Sequence, residues 1–348
     1  MKKFISLALV AVMVLSMSLF MASCGGDKEE AGGGEAAESK DITITGVIAT
    51  QLGDKSFNDS AKAGLDKLKE QGFKVNVVQC DTDETKYEPS LRTAAENSDI
   101  VVGVGSELTM IDKIVGDYPD TKFIWVDNVV KNPEKYDNLT CIRYTQNEGS
   151  YLVGYIAGKM TESNVVGFIG GQKIDVIEDF RIGYEQGVKD ANPKAKVLKN
   201  WTNDWSDTNA GAEAAQTQAG QGADIIFCAA GGSGNGAILK AEELGIKCIG
   251  VDQDQRETMK DYADYILCSM IKNVDKSLVD YINDFTEDES KWVGPEVFNA
   301  GPKGDYIKVA YGPEDLKVLV PQDIIDELDT QIEKIDSGEI DVKSAFDK

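Results

Sequence analysis

Residues 227–255 read FCAAGGSGNGAILKAEELGIKCIGVDQDQ. An apolar run, ADIIFCAA (223–230), leads into this stretch and stops at Gly231 and Gly232. Ala237, Leu239, Ala241 and Leu244 follow along a helical pattern. Gly245 closes that helix, and KCIGV (247–251) starts a second strand. Asp252, Gln253 and Asp254 lie just past the second strand's end. Strand, turn, helix and strand in this order predict an open parallel sheet. In such sheets small molecules bind outside the carboxyl ends of the strands. Both polar turns fall at such ends, so one small molecule is expected to meet both.

The same alternation runs outward in both directions. From residue 41, ITITGVIAT, FKVNVVQC, DIVVGVGS, KFIWVDNVV and LTCIRYT read as strands, the first four followed by polar turns or loops, with helical patterns after the first three. Ala61, Gly64, Leu65 and Leu68 have helical spacing, and a short helix is expected over 108–115. The pattern restarts near residues 144–148. EGSYLVGYIAGKM (148–160) is an apolar helix with small residues suited to close packing, NVVGFIGG is a strand and glycine turn, and 207–220 is an alanine-rich helix opening on Asp and Thr. Two successive sets of βα units predict two doubly wound, Rossmann-like lobes joined by a hinge and closing over a cleft. The boundaries read as lobe 1 over 41–145 plus about 271–300, and lobe 2 over 146–270 plus part of 301–348.

With 348 residues, 42% apolar and 28% charged, the chain can bury a real core. The net charge of −24 argues against nucleic acid as a partner, because phosphate binding needs clustered Lys and Arg. There is no histidine. That removes Ser-His-Asp and Cys-His catalysis and His-based zinc sites, and makes an enzyme less expected. No CxxC occurs among the six cysteines, so neither zinc nor another cofactor is expected. Cys141, Cys228, Cys248 and Cys268 lie in strand-like runs and read as small buried hydrophobes.

Residues 1–23 read as a secretory signal: Lys2 and Lys3, an apolar run, then Ala22 and Ser23. Cys24 after small residues resembles a bacterial lipobox, with Met21 where Leu is commoner. That resemblance implies lipidation of Cys24 and an anchor on the extracytoplasmic face of a cell membrane. Residues 24–40, rich in Gly, Ala and Glu, read as a flexible tether.

Several residues carry site chemistry. GGSGNG (231–236) does not fit GxGxxG, and no GK[ST] follows, so a phosphate cradle is disfavoured. Its glycines either let backbone N–H groups approach a neutral ligand or make a tight turn. Phe57, in the polar stretch DKSFND, and Phe180, in EDFRIGYEQG, are stacking surfaces or core. Asn58 and Asp59 can cap the next helix, with Asp59 the favoured cap. Asp127, after FIWV, holds a ligand N–H pair or caps a turn. Asp252 suits a sugar diol, and Lys272 begins a helix after the last strand of the second set. Acid and base at strand ends, flanked by aromatics, suit a ligand with a flat ring and a diol.

GDKSFNDSAKAGL, FIWVDNVV, EGSYLVGYIAG, GADIIFCAAGGSGNGAI, GVDQDQ and SMIKNVDKSL together resemble the basic membrane protein family, lipoprotein substrate-binding components of ABC importers that include purine nucleoside receptors. The resemblance covers roughly 42–341. It implies a type I periplasmic-binding-protein fold, no catalysis, and a monomer that hands a nucleoside to a membrane permease. By position, it implies that Phe57 and Phe180 sandwich the base, Asn58 and Asp127 read its polar edge, and Asp252 and Lys272 hold the ribose beside Gly231 and Gly232. Glu178 and Asp179 depart from the arginines common before the second phenylalanine, and the pair Trp201 and Trp205 is unusual. The alternatives are the same fold with a sugar or other small polar metabolite, and a secreted nucleoside-cleaving enzyme using Asp252 or Asp127.

Overall fold

The computed structural model describes residues 40–295 and 297–347; the signal segment, Cys24 and nearly all of the tether lie outside the described residues. The β-branched runs form two six-stranded sheets. The first contains β1 (Thr43–Ile48), β2 (Lys74–Gln79), β3 (Ile100–Val104), β4 (Lys122–Val126) and β5 (Leu139–Tyr144). The second contains β6 (Val165–Gly170), β7 (Lys196–Trp201), β8 (Ile225–Ala229), β9 (Lys247–Asp252) and β10 (Ile266–Lys272). Late in the chain, β11 (Val297–Ala300) joins the first sheet and β12 (Ile307–Ala310) the second. The orders are β11-β5-β4-β3-β1-β2 and β12-β10-β9-β8-β6-β7, parallel throughout except for β12 against β10. Strands β3, β8 and β10 are buried along their whole length, as strands covered on both faces must be, whereas the edge strands β2 and β7 alternate or are exposed.

The helices are α1 (Phe57–Glu70), α2 (Glu84–Asn97), α3 (Ile111–Ile114), α4 (Gln146–Met160), α5 (Asp175–Ala191), α6 (Thr208–Gly220), α7 (Gly231–Leu244), α8 (Gln255–Thr258), α9 (Val274–Glu287) and α10 (Gln322–Asp336). Helix α9 packs on α1 and so belongs with the first sheet, while α4 packs on α5 and on α10 beside the second. The chain therefore passes between the lobes three times, at Thr145, at Asn273 and over 301–306. These crossings are tied together: Thr145 N donates to Ala300 O (3.1 Å) and Asn273 N to Tyr306 O (2.8 Å). The architecture is the type I periplasmic-binding-protein fold, two α/β lobes on a hinge.

The tail is fixed to the second lobe by two buried charges. Arg256 donates to the carbonyls of Ala263, Tyr311 and Lys317. Asp179 accepts from Ser344 Oγ (2.6 Å) and Ala345 N (2.9 Å). Among the described residues five cysteines, including the four in strands, are buried and free.

Three local expectations are corrected. The helix expected over 108–115 shrinks to α3 and a 3₁₀ turn. Lys272 ends β10 rather than opening a helix, because pairing with Ile307 of β12 prolongs the strand. Phe57 is the first residue of α1, and the cap of that helix comes from Asp54, not Asp59. The Asp54 carboxylate accepts from the backbone N–H groups of Ser56 (3.0 Å), Asn58 (2.9 Å) and Asp59 (3.1 Å). Asp59 instead reaches back to Gly53 N and Lys55 N.

The small residues of α4 and α5 serve backbone contact. A methyl on Gly187 would stand 2.0 Å from Tyr151 O, and one on Gly183 2.0 Å from Asn147 O. Backbone atoms cannot swing aside, so Gly187→Ala is expected to destabilise the fold by at least ~1–3 kcal/mol, the cost of overpacking. Urea unfolding checks this; a midpoint equal to that of the parent chain would show that the helices separate freely.

Candidate functional site

A cavity lies between the carboxyl ends of the two sheets. Each sheet has a switch point, where strand order reverses, between β1 and β3 in one lobe and β6 and β8 in the other. The lining comes from the turns after those strands and their neighbours: Thr50, Asp54, Phe57 and Asn58 after β1, Gly105, Ser106 and Glu107 after β3, Asp127 after β4, Ala229 and Gly231 at β8, and Asp252 and Lys272 at the ends of β9 and β10. Asp127 (φ 68°) and Asp252 (φ 65°) both adopt left-handed backbone as their strands end, a conformation that aspartate tolerates better than most residues.

Lys272 is the centre of the site. Its side chain is 1% exposed, and its Nζ lies 2.8 Å from Asp127 Oδ2. Three rings surround the ammonium, with centroids 4.7 Å (Phe180), 5.2 Å (Tyr144) and 5.4 Å (Phe57) from Nζ. Such faces attract a cation more strongly when it is desolvated. Asp252 is buried and accepts from Ser56 Oγ of the opposite lobe. Burial pushes its carboxyl up to about 6, against the pull of Lys272 and Ser56. Burial likewise pushes Asp54 up to about 7, although the N–H groups of Asn58, Asp59 and Ser56 favour its ionised form.

The structure brings Phe57, Asn58, Asp127, Phe180, Gly231, Asp252 and Lys272 to this one cavity. Phe57 is half-buried. Phe180 is 2% exposed, lining the cavity on one side and meeting Phe227 on the other at 6.2 Å between centroids. Gly232 faces a neighbouring cavity, and Thr50, Asp54, Asn58 and Trp205 line both. The left-handed φ of Gly231 (54°) starts α7 directly at the cavity wall. The Asn58 amide nitrogen is already engaged by Thr50 Oγ1 (2.8 Å), Gln51 O (3.0 Å) and Asp54 Oδ2 (2.9 Å). What Asn58 can offer a ligand is its carbonyl oxygen.

The lobes are clasped. Besides Ser56 and Asp252, Asn235 Nδ2 donates to Asp54 O (2.9 Å), Gln253 Nε2 to Ser56 O (3.0 Å) and Gln255 Nε2 to Lys55 O (3.2 Å). Every one of these bonds falls on residues 54–56, so the loop after β1 is held by the second lobe in a closed arrangement. The wall carries four carboxylates, Asp54, Glu107, Asp127 and Asp252, against the single ammonium of Lys272. That balance repels phosphate and suits a ligand rich in N–H and O–H donors.

Residues 42–345 match the Bmp family, described as ABC transporter substrate-binding protein PnrA-like. The chain belongs to the Bmp family. Among its relatives, it is 32% identical over 362 aligned positions to the CD4+ T-cell-stimulating antigen of Listeria innocua, covering 96% of this chain and 97% of that one. It is 30% identical over 342 positions to basic membrane protein A of Borreliella burgdorferi, covering 96% and 95%. A solute-binding protein of an ABC transporter system from Aeropyrum pernix K1 shares the fold, with a TM-score of 0.77 at 23% identity over 88% of this chain and 94% of that one. As a Bmp-family member, the chain is a solute-binding receptor of an ABC importer.

Sequence reasoning missed several residues that build this Bmp-family site. Asp54 and Ser56 sit inside DKSFND, but their partners across the cleft, Asn235 and Asp252, come from α7 and the end of β9, far along the chain. Asn235 and Gln255 clasp from α7 and α8. Glu107 was legible as the first charge after the strand ending at Val104, whereas nothing local marks Trp205 as a cavity residue. The departure at Glu178 and Asp179 has a structural account: Glu178 pairs with Arg181 (2.7 Å), and Asp179 anchors the tail.

Proposed function

We propose that the ligand is a nucleoside, with a purine base, bound in the closed cleft and handed to a membrane permease. The observation that carries this reading is the combination around Lys272: two phenylalanine faces at one end of a cavity whose polar wall is carboxylate. Phe57 and Phe180 supply apolar faces for a flat ring, and Asp252 supplies acceptors for a vicinal diol. Lys272 offers a donor to a hydroxyl or ring acceptor while Asp127 balances its charge. The acidic wall separates a neutral nucleoside from a nucleotide. No bond need be made or broken, and the Bmp family and the fold match those of solute-binding proteins rather than enzymes. Lipidation at Cys24 would place the monomeric receptor on the extracytoplasmic face of the membrane, with the tether giving it reach. A sugar would use the diol end of this cavity and brings no flat base to the two rings.

The reading has a pH signature. An Asp252 that accepts two hydroxyl donors must be ionised, and without ligand its carboxyl titrates near 6. Binding then requires loss of a proton below that value. Affinity should be flat from pH 8 to about 7, fall as pH drops through 6, and be about tenfold weaker at pH 5 than at pH 8. Calorimetric titration with inosine or guanosine across this range tests it. Affinity independent of pH would remove Asp252 from the ligand, and absence of binding to any nucleoside would sink the reading.

A further inference from the structure

Of the four cavity carboxylates, three are provided for. Asp54 is ringed by N–H donors, Asp127 is paired with Lys272, and Asp252 takes the Ser56 hydroxyl in the field of the same lysine. Glu107 differs. Among the described residues no Lys or Arg forms an ion pair with it. Its own backbone N–H and the Trp205 side chain of the opposite lobe are what favour its charge. Burial and the nearby charge of Asp127 disfavour its ionised form. It stands at the switch point after β3, behind Gly105, whose left-handed φ (114°) turns the chain there. A methyl on Gly105 would meet Glu107 Oε2 at 2.7 Å, so the glycine also leaves room for the carboxylate. In its ionised form Glu107 accepts and does not donate, and can take two parallel N–H bonds; such a pair of ligand donors would supply the compensation that burial withholds.

We propose that Glu107 is a specificity-determining residue of the cleft, accepting a pair of adjacent N–H donors from the ligand's base and disfavouring bases that place an acceptor there. The inference rests on the nucleoside reading and adds the class of base: one with a ring N–H beside an amino group, as in guanine. Hypoxanthine presents the ring N–H alone. Adenine presents an acceptor nitrogen beside its amino group, which a carboxylate leaves unmatched.

The test is calorimetric titration of the full chain and of Glu107→Gln with guanosine, inosine and adenosine at pH 7.5. The parent chain should rank guanosine over inosine over adenosine, with guanosine and adenosine separated by about tenfold or more. A glutamine offers one donor and one acceptor, the pattern that suits adenine, so Glu107→Gln should lose about tenfold for guanosine and reverse the order. Equal affinities in the parent chain, or an order unchanged by Glu107→Gln at an unchanged melting temperature, would overturn the assignment while leaving the nucleoside reading standing. No binding of any of the three would overturn both. If Glu107→Gln fails to fold, Glu107→Ala is titrated instead and should erase the preference for guanosine; a preference that survives would overturn the assignment.

Discussion

Asp252→Asn is expected to weaken nucleoside binding by about 10²-fold or more while leaving the fold intact. The magnitude follows from two hydroxyl contacts to an ionised acceptor, each contributing ~1.5–3 kcal/mol. Asparagine keeps a carbonyl oxygen for the Ser56 hydroxyl, so the clasp between the lobes is retained. The stability side has the opposite sign. Burial holds the Asp252 carboxyl near 6 in the folded chain, above its ordinary value of 3.8. Such a group binds more protons folded than unfolded between those two values. Its ionised form therefore costs stability as pH rises through that window. Removing the charge relieves this cost, so the melting temperature of Asp252→Asn at pH 7.5 should equal or exceed that of the parent chain. A variant that melts far lower would make Asp252 a structural anchor; one that binds nucleoside unchanged would take it out of the site.

Lys272→Met should be the most damaging single change at the cleft. The ammonium lies among three rings and is 2.8 Å from Asp127, with Asp252 nearby. Methionine fills the same space without clashing but strands buried carboxylates. Removing one partner of a buried pair typically costs ~3–5 kcal/mol. The loss should also depend on pH in a defined direction. Lys272 is the main influence favouring ionised Asp252. Without it that carboxyl rises further, and the pH window over which ionisation costs stability extends upward. The deficit relative to the parent chain should therefore be larger at pH 8 than at pH 5, and Lys272→Met combined with Asp252→Asn should recover part of it. Chemical denaturation at the two pH values measures this. A deficit that is the same at both, with no recovery in the double variant, would mean that lost packing rather than stranded charge sets the cost.

The fold was legible because its signals are local. Apolar runs of strand length, glycines such as Gly245 at helix ends and the small-residue face of 148–160 each encode an element without reference to distant chain. The seven residues that meet at the main cavity were legible for a related reason: a doubly wound sheet gathers whatever follows its strands, so Asp127, Asp252 and Gly231 had to converge. What escaped depends on pairing across the hinge. Nothing near Asp54 shows that its carbonyl will receive the Asn235 amide. One local tie escaped as well: the Asn58 amide nitrogen is engaged by its own loop. Nothing near Trp205 shows that it will share a cavity with Glu107 of the other lobe. Lys272 was misplaced by one element because its strand is prolonged by β12, a partner more than thirty residues later.

Joint binding of a nucleoside by Phe57, Phe180, Asp252 and Lys272 is tested by calorimetry of the ligand-free chain at pH 7.5 against a purine nucleoside, its free base and ribose. Binding of the nucleoside at micromolar affinity or better, at least 10²-fold tighter than the base or ribose alone, is the predicted result. Ribose or another sugar binding as tightly as the nucleoside would contradict it.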